Sequence, residues 1–311
     1  MKPNFFIVGA PKCGTTALAQ YLSEHPQVFM ADPKEPHFFA DDLPGHHKAI
    51  NQKDYLRLFS HAREQKIVGE ASVWYLYSDS ALKNIKCFNP QAKLLVMLRN
   101  PVELVYSMHS QHLYTRNEHE QDFAEAWFLS EKRRQGKAII STAQDGHKVL
   151  QYDEIARLGE QLERLLKLFP RQQVMWIFFD DFKTKPVETY KQVMQFLAIE
   201  DLNRKSFPRI NSNKRQKYPW LANFTERPPQ WLVWPLQELK RRFNIQQRFN
   251  LLKPLRQIND VVENRPALSP EMTQIILQHY RDDILKLAQL TGRNLDHWLY
   301  DLEPQEKELI C

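Results

Sequence analysis

The residues with the clearest chemical potential lie near the amino terminus, in the stretch IVGAPKCGTTAL. Gly9 and Gly14 have the glycine spacing of the triphosphate-binding loop G-x-x-x-x-G-K-[ST]. Thr15 stands where that loop has its lysine, and Lys12 lies inside the loop instead. Backbone N–H groups and the dipole of a following helix favour an anion at such a turn. The stretch therefore predicts a phosphate-like ligand that is not held as a triphosphate would be.

A second cation and hydroxyl lie in RNPVELVYS, where Arg99 ends an apolar run and Ser107 follows two helical turns later. Arginine binds phosphate through a planar fork of N–H donors, and a helix serine at this spacing could reach the same group. The alternative is a surface arginine and a serine that bonds to its own helix. Two separate anion motifs favour a ligand that carries phosphate at two positions.

A third group of reactive side chains lies in KEPHFFADD at 34–42, after a predicted strand. Glu35 and His37 both qualify chemically as a general base, which group transfer to a hydroxyl requires. The alternative for Glu35 is a carboxylate that is only solvated or paired in a salt bridge.

The elements that position these motifs follow from the apolar pattern. Buried strands are predicted at 5–8, 66–72, 93–101 (apolar centre LLVML) and 174–179. Helices are predicted from about 15 to before His25, from 101 to about 112, and at 122–134, 152–169, 186–198, 231–243 and 270–290. The alternation predicts an α/β protein, a P-loop-like three-layer fold with a mostly parallel central sheet flanked by helices. Ligands of such sheets bind at the carboxyl ends of the strands, where all three motifs lie.

Length and composition indicate one domain over residues 1–311, in which the polar, proline-marked stretch 201–230 is predicted to be a loop region. The net charge of +6 and the pI of about 9.0 suit an anionic ligand. No nucleic-acid motif accompanies this charge, so no nucleic-acid partner is predicted. Three cysteines without metal-ligand spacing, no transmembrane stretch and no signal peptide predict a cytoplasmic protein.

The two anion motifs resemble those of sulfotransferases that use 3′-phosphoadenosine 5′-phosphosulfate (PAPS), and are most similar to the bacterial type and the heparan sulfate sulfotransferases. In that family the loop lysine lies before the second glycine, as Lys12 does. The 3′-phosphate motif of the family has an arginine, a proline two residues on and a serine eight residues on, as Arg99, Pro101 and Ser107 do. Weaker similarity lies at 69–76, 180–199 and 265–292, and the resemblance implies that the weakly covered segment 201–264 is an insertion that shapes the acceptor site or a lid.

The resemblance implies PAPS as donor, 3′-phosphoadenosine 5′-phosphate (PAP) as product, and in-line sulfuryl transfer without a metal. Lys12 would neutralise the bridging oxygen of the leaving phosphate, and Arg99 with Ser107 would bind the 3′-phosphate. A glutamate in a similar K-E-x-x-F-F setting is the base in heparan sulfate sulfotransferases, which favours Glu35 as base and His37 as a second acceptor-site residue. The implied contacts to the 5′-phosphate are Lys12, Cys13, Gly14, Thr15, Thr16 and Ala17.

The sequence departs from the family on the acceptor side. In the 3-O-sulfotransferases an aspartate follows the two phenylalanines, where this chain has Ala40, and a lysine stands where this chain has Ala71. Both changes weaken the prediction of a heparan-like polyanion, so the predicted acceptor is a hydroxyl or amine of a carbohydrate or glycan-like molecule whose identity stays open. The family often has a late basic loop, which predicts Lys214 and Arg215 as cofactor contacts, against the alternative of a solvated loop.

Two other functions fit parts of the sequence. An ATP-dependent P-loop kinase would use VMWIFFDD as the strand and aspartate that hold Mg²⁺, but the loop lysine is displaced from its place in such enzymes. A catalytically silent sulfotransferase-like binding protein would keep the fold without turnover. A comparison of ATP binding in the presence of Mg²⁺ with PAP binding in the absence of metal distinguishes the kinase from the predicted sulfotransferase.

Overall fold

The structure is a computed structural model that describes residues 1–43, 45, 51–138, 140, 146–208, 214–216, 260–262 and 266–299. Its main sheet has five strands, namely β1 (Phe5–Gly9), β2 (Val28–Met30), β3 (Ile67–Ala71), β4 (Lys93–Leu98) and β5 (Val174–Phe178). They pair in the order β2-β3-β1-β4-β5, and every pair is parallel. The predicted α/β class with a parallel central sheet is confirmed.

Helices follow most of the strands. Their bounds are α1 (Thr15–Ser23), α2 (Gln52–Arg57), α3 (Ala81–Phe88), α4 (Pro101–Thr115), α5 (Phe123–Arg134), α6 (Tyr152–Ile155), α7 (Leu158–Leu168), α8 (Phe179–Thr184), α9 (Pro186–Leu197), α10 (Pro270–Thr291) and α11 (Asp296–Leu299). Every residue of β1 is buried, and so are five of the six residues of β4. Continuous apolar runs are what strands covered on both faces require.

The register brings the strand ends that matter to one edge. Phe5 of β1 lies opposite Gly69 of β3 on one side and Lys93 of β4 on the other. The chain leaves all three strands in the same direction, so the segments after Gly9, Ala71 and Leu98 begin at a common edge. This edge holds the first loop, the segment after β3 and the Arg99 turn.

Two predicted helices have different bounds in the structure. The helix after Pro101 extends to Thr115 rather than to about 112, and it ends where Arg116 takes a left-handed φ of 61°. The predicted helix at 152–169 is divided into α6 and α7. The carboxylate of Asp283 accepts hydrogen bonds from the N–H groups of Gly159 and Glu160, both at 2.8 Å, and so binds the start of α7.

Glycine is required at this start because a Cβ at Gly159 would lie 2.4 Å from the carbonyl oxygen of Asp283. The close approach of α7 to α10 therefore depends on the absence of a side chain at Gly159.

The chain divides into two compact units, Met1–Asn211 with Leu268–Cys311, and Ser212–Ala267. In the second unit, β6 (Lys214–Gln216) and β7 (Asp260–Val262) form an antiparallel pair, so the predicted loop over 201–230 is wrong at β6. The predicted helix at 231–243 lies outside the described residues. Among the described residues, no helix combines the length and the apolar character needed to cross a membrane.

Candidate active site

The first loop turns sharply between β1 and α1. Lys12 and Gly14 both have left-handed backbones, with φ of 61° and 88°. A Cβ at Gly14 would lie 3.3 Å from the rings of Phe179 and Phe182, so a side chain there would be both strained and crowded. The first turn of α1 contains no acidic residue, and no side chain caps it. The N-terminus of α1 therefore has the form that an anion site requires, and the predicted phosphate contacts stay a prediction.

Within this loop the side chains differ in what they can offer a ligand. Thr15 is buried at the start of α1, and its Oγ1 lies 3.5 Å from the Nζ of Lys34. Cys13 is buried, its Sγ donates a hydrogen bond to the carbonyl of Pro11 at 3.3 Å, and burial raises the pKa of its thiol to about 12. Cys13 can therefore contribute only its backbone N–H to the predicted phosphate contact.

The Nζ of Lys12 donates a hydrogen bond to Oε1 of Gln111 at 3.0 Å. Gln111 lies on α4, one helical turn after Ser107, which is 5% exposed. Residues four apart share a helix face, so Ser107 and Gln111 lie side by side on α4. The sequence analysis missed Gln111, although its spacing from Ser107 was a usable signal.

Arg99 joins the two anion motifs directly. Its Nη1 donates a hydrogen bond at 2.8 Å to the backbone carbonyl of Lys12. Its Nη2 lies 2.7 Å from Oε2 of Glu103, and its guanidinium stacks 4.5 Å above the ring centroid of Phe179. The side chain is 15% exposed, whereas Glu103 is 55% exposed. An anion that approached Arg99 would compete with the solvated Glu103 carboxylate and leave the bond to Lys12 in place.

The segment KEPHFF is held beside the same edge by a backbone bond from Glu35 N–H to the carbonyl of Ala71 at 3.0 Å. Lys34 Nζ contacts Glu35 Oε1 at 2.6 Å, and His37 Nε2 lies 3.9 Å from Glu35 Oε2. Burial opposes the charge on Glu35, but His37 and the Lys34 ammonium outweigh it and hold the pKa of this carboxyl well below its usual range. Because the Nζ of Lys34 also lies 3.5 Å from Thr15 Oγ1, Lys34 connects the candidate base to the first loop.

A buried carboxylate that the sequence analysis did not single out lies behind this segment. Glu70, in β3, is fully buried, and it accepts hydrogen bonds from the hydroxyls of Tyr55 (2.8 Å), Tyr75 (2.9 Å) and Ser72 (2.7 Å). The Ser72 hydroxyl in turn accepts a bond from the backbone N–H of His37 at 3.1 Å. A charged residue inside an apolar strand was the signal, since burial of a lone carboxylate is costly.

The structure thus brings the first loop, Arg99 and the segment from Lys34 to His37 to one edge of the sheet. The side chains of Lys214 and Arg215 lie outside the described residues, and their predicted role as cofactor contacts stays a prediction. The second aspartate of VMWIFFDD, Asp181, is paired with Arg293 through two contacts, one of 3.0 Å.

A parallel α/β sheet with a glycine loop after its central strand and an arginine after the neighbouring strand defines a P-loop-like α/β protein. The chain belongs to the sulfotransferase family: the sulfotransferase domain matches residues 2–227. The resemblance that the two motifs indicated is therefore confirmed.

Relatives of known type agree with this membership. A human protein, carbohydrate sulfotransferase 15, is 29% identical over 254 residues, which are 65% of this chain and 45% of that protein. Human heparan sulfate glucosamine 3-O-sulfotransferase 6 is 28% identical over 256 residues, 78% of this chain and 70% of that protein. A sulfotransferase crystal structure from Alicyclobacillus acidocaldarius has a TM-score of 0.67 and 26% identity over 96% of this chain and 99% of that one. The chain spans about half the length of the first curated relatives it matches.

Proposed function

We propose that this sulfotransferase moves the sulfuryl group of PAPS to a hydroxyl or amine of a carbohydrate-type acceptor. The observation that carries the proposal is the bond from Arg99 to the carbonyl of Lys12, because it fixes two phosphate motifs together at one sheet edge. Family membership supports sulfuryl transfer, and the paired motifs support a donor with separate 3′- and 5′-phosphates.

The residues fit such a donor. A helix N-terminus without acidic residues suits the 5′-phosphate, with the N–H groups from Cys13 to Ala17 and the hydroxyls of Thr15 and Thr16 as donors. Arg99, held by the Lys12 carbonyl and Phe179, offers its guanidinium to the 3′-phosphate, together with Ser107. The two donor sets come from different helices, α1 and α4 with the turn before it, as suits a nucleotide with phosphate at two positions.

Lys12 would stabilise negative charge on the leaving phosphate. Its Nζ donates a hydrogen bond to the neutral Oε1 of Gln111, which directs the ammonium toward the face of α4 that carries Ser107. Stabilisation of this kind by one positioned donor is typically worth about 10²–10³ in rate. Gln111 would hold the flexible lysine near the site before the donor arrives.

Glu35 would accept the proton of the acceptor hydroxyl. Its low pKa keeps it ionised at neutral pH, but its contact of 2.6 Å with Lys34 makes it a weak base. Lys34 also lies 3.5 Å from Thr15 Oγ1, beside the proposed 5′-phosphate site. An anionic donor would attract Lys34 away from Glu35 and thereby strengthen the base. His37 would stay beside Glu35 as a second acceptor-site residue.

The acceptor class rests on the relatives, whose names specify carbohydrate and heparan sulfate sulfotransferases. Ala71 stands at the end of β3, where the sequence analysis noted a lysine in the 3-O-sulfotransferases. Loss of that cation favours an acceptor with less negative charge than heparan sulfate. The cytoplasmic location and the role of 201–264 in an acceptor site or lid stay predictions.

Calorimetric titration with PAP, and separately with ATP and Mg²⁺, tests the donor class. We expect micromolar or tighter binding of PAP and little binding of ATP. Arg99→Ala should weaken PAP binding, and Arg57→Ala, at an exposed arginine on α2, is the matched control. Binding of ATP alone would refute the proposal in favour of the kinase. PAP binding without turnover on any carbohydrate acceptor would favour a silent binding protein.

A further inference from the structure

The buried carboxylate of Glu70 is connected to the acceptor-side segment by an unbroken series of hydrogen bonds. Its Oε2 accepts from Ser72 Oγ at 2.7 Å, and Ser72 Oγ accepts from His37 N–H at 3.1 Å. Its Oε1 accepts from Tyr75 Oη at 2.9 Å, and Tyr75 Oη accepts from Phe39 N–H at 3.4 Å. One carboxylate thus orients two hydroxyls, each of which holds a backbone amide of KEPHFF.

This segment needs such support because its backbone is unfavourable. Glu35 and His37 have positive φ angles of 65° and 50°, a backbone conformation that residues other than glycine rarely adopt. Strain of this kind persists only where surrounding contacts determine the conformation. The Ser72 hydroxyl is the acceptor of the His37 N–H, and Ala71, next in sequence to Glu70, supplies the carbonyl for the Glu35 N–H.

The bonds also define which state of Glu70 fits. Three hydroxyls donate to its two oxygens, which an ionised carboxylate accepts fully. A protonated carboxyl has a donor of its own, so one of the three hydroxyls would have to reverse. If Ser72 reversed, its hydroxyl proton would lose Glu70 as acceptor and its oxygen would have to accept from Glu70 and from the His37 N–H together, which alters the bond that holds His37.

We propose that Glu70 is a positioning residue of the sulfuryl-transfer site, which acts through Ser72 and Tyr75 to hold the Glu35–His37 turn in its reactive conformation. The inference rests on the proposed function and extends it to a residue that touches neither donor nor acceptor. Loss of the Glu70 network should affect the acceptor side and not the donor side, because Arg99 and the first loop are held by other contacts.

Protonation of Glu70 gives the proposal a second readout. Burial raises the pKa of Glu70 to about 7, against the opposing effect of its three hydroxyl donors and of Lys34. The other ionisable groups that face this network are Tyr55, Tyr75 and, across Ser72, His37 with Glu35. Donor-saturated turnover should therefore fall as the pH drops through about 7, a step distinct from protonation of Glu35 at lower pH.

The first test is Ser72→Ala, with Ser60→Ala as the matched control at an exposed serine. We expect the affinity for PAP to be unchanged in both variants. PAPS consumption is followed in two assays, one with chondroitin as the probe substrate and one with water alone. It should fall about 10-fold or more in Ser72→Ala, because the buried His37 N–H loses the hydroxyl oxygen that accepts its hydrogen bond. An equal loss of PAP affinity would indicate a general structural defect and overturn the proposal.

The second test is Glu70→Gln, which replaces one acceptor oxygen with an NH2 donor and so cannot accept from all three hydroxyls. Its turnover should be low and should lack the step near pH 7 that the parent shows. A step near pH 7 that persists in Glu70→Gln would assign that ionisation to another group and overturn the proposal.

Amide exchange keeps the proposal testable without activity. Backbone exchange over residues 34–40 should be faster in folded Ser72→Ala than in the parent, and that of residues 10–17 should be unchanged. Unaltered exchange at 34–40 would overturn the positioning role. Absence of PAP binding by the parent would instead refute the proposed function, and the exchange result would still decide whether Glu70 holds the turn.

Discussion

Replacement of Glu70 by glutamine should change how the stability of the protein depends on pH. The carboxyl is fully buried in β3, and burial raises its pKa from 4.5 to about 7 despite three hydrogen-bond donors. In the unfolded chain the group ionises near 4.5, whereas the folded protein retains the proton until about pH 7. Between these values the folded state binds more protons, so its stability decreases as the pH rises.

The size of the effect follows from the shift. A pKa difference between 4.5 and about 7, at about 1.4 kcal/mol per pH unit, corresponds to about 3 kcal/mol of unfolding free energy. That contribution is present in full below pH 4.5 and is lost by about pH 8. Glutamine stays neutral at every pH and therefore does not lose this contribution. The unfolding free energy of Glu70→Gln minus that of the parent should rise by about 3 kcal/mol between pH 4.5 and about pH 8.

Denaturant unfolding in urea at a series of pH values between 4.5 and 8 measures this difference. The parent and Glu70→Gln are compared at each pH, because all other ionisations then cancel to first order. Glu125→Gln, at an exposed glutamate of α5, is the matched control and should give a profile parallel to the parent. A Glu70→Gln profile that is also parallel to the parent would refute the assigned ionisation of Glu70.

The remaining predictions concern the donor site. Lys12→Ala should lower turnover of PAPS by about 10²–10³, because the charge on the leaving phosphate loses a hydrogen-bond donor. Near-normal turnover in a quenched time course of PAPS consumption would exclude that role. Arg99→Ala should weaken PAP binding about 10-fold or more in calorimetry, since a charged hydrogen-bond donor is lost, and an unchanged Kd would contradict it. Iodoacetamide at pH 8 should alkylate exposed Cys87 and spare buried Cys13, whose thiol has a pKa raised to about 12; peptide masses would reveal the opposite outcome.

Much of the fold was predictable because its signals are local. The strands FFIVG and KLLVML are continuous apolar runs, and both are central strands covered on two faces. The anion loop was predictable for the same reason, since glycine spacing and the position of Lys12 are adjacent in the sequence. Arg99 was predictable from its place at the end of an apolar run, before the proline that starts α4.

What the sequence could not give are the contacts between distant segments. Lys34 and Glu35 are adjacent in sequence, so their ion pair is local. The contact of Lys34 with Thr15 depends instead on how two loops meet in the folded protein. The division of α6 from α7 depends on Asp283, more than a hundred residues later. Glu70 was overlooked because its three partners, which make its burial tolerable, become neighbours only in the folded sheet.

The bond between Arg99 and the carbonyl of Lys12 spans 87 positions, and it has a consequence for biosynthesis. At roughly 5–20 residues per second, the ribosome delivers Arg99 about 4–17 s after Lys12. Until β3 has been made, the apolar strand β1 lacks both its neighbours, and its edge toward β4 stays open until close to the end of that interval. Unpaired apolar edges of this kind favour association between chains, so β1 is open to such association while its partner strands are still being made.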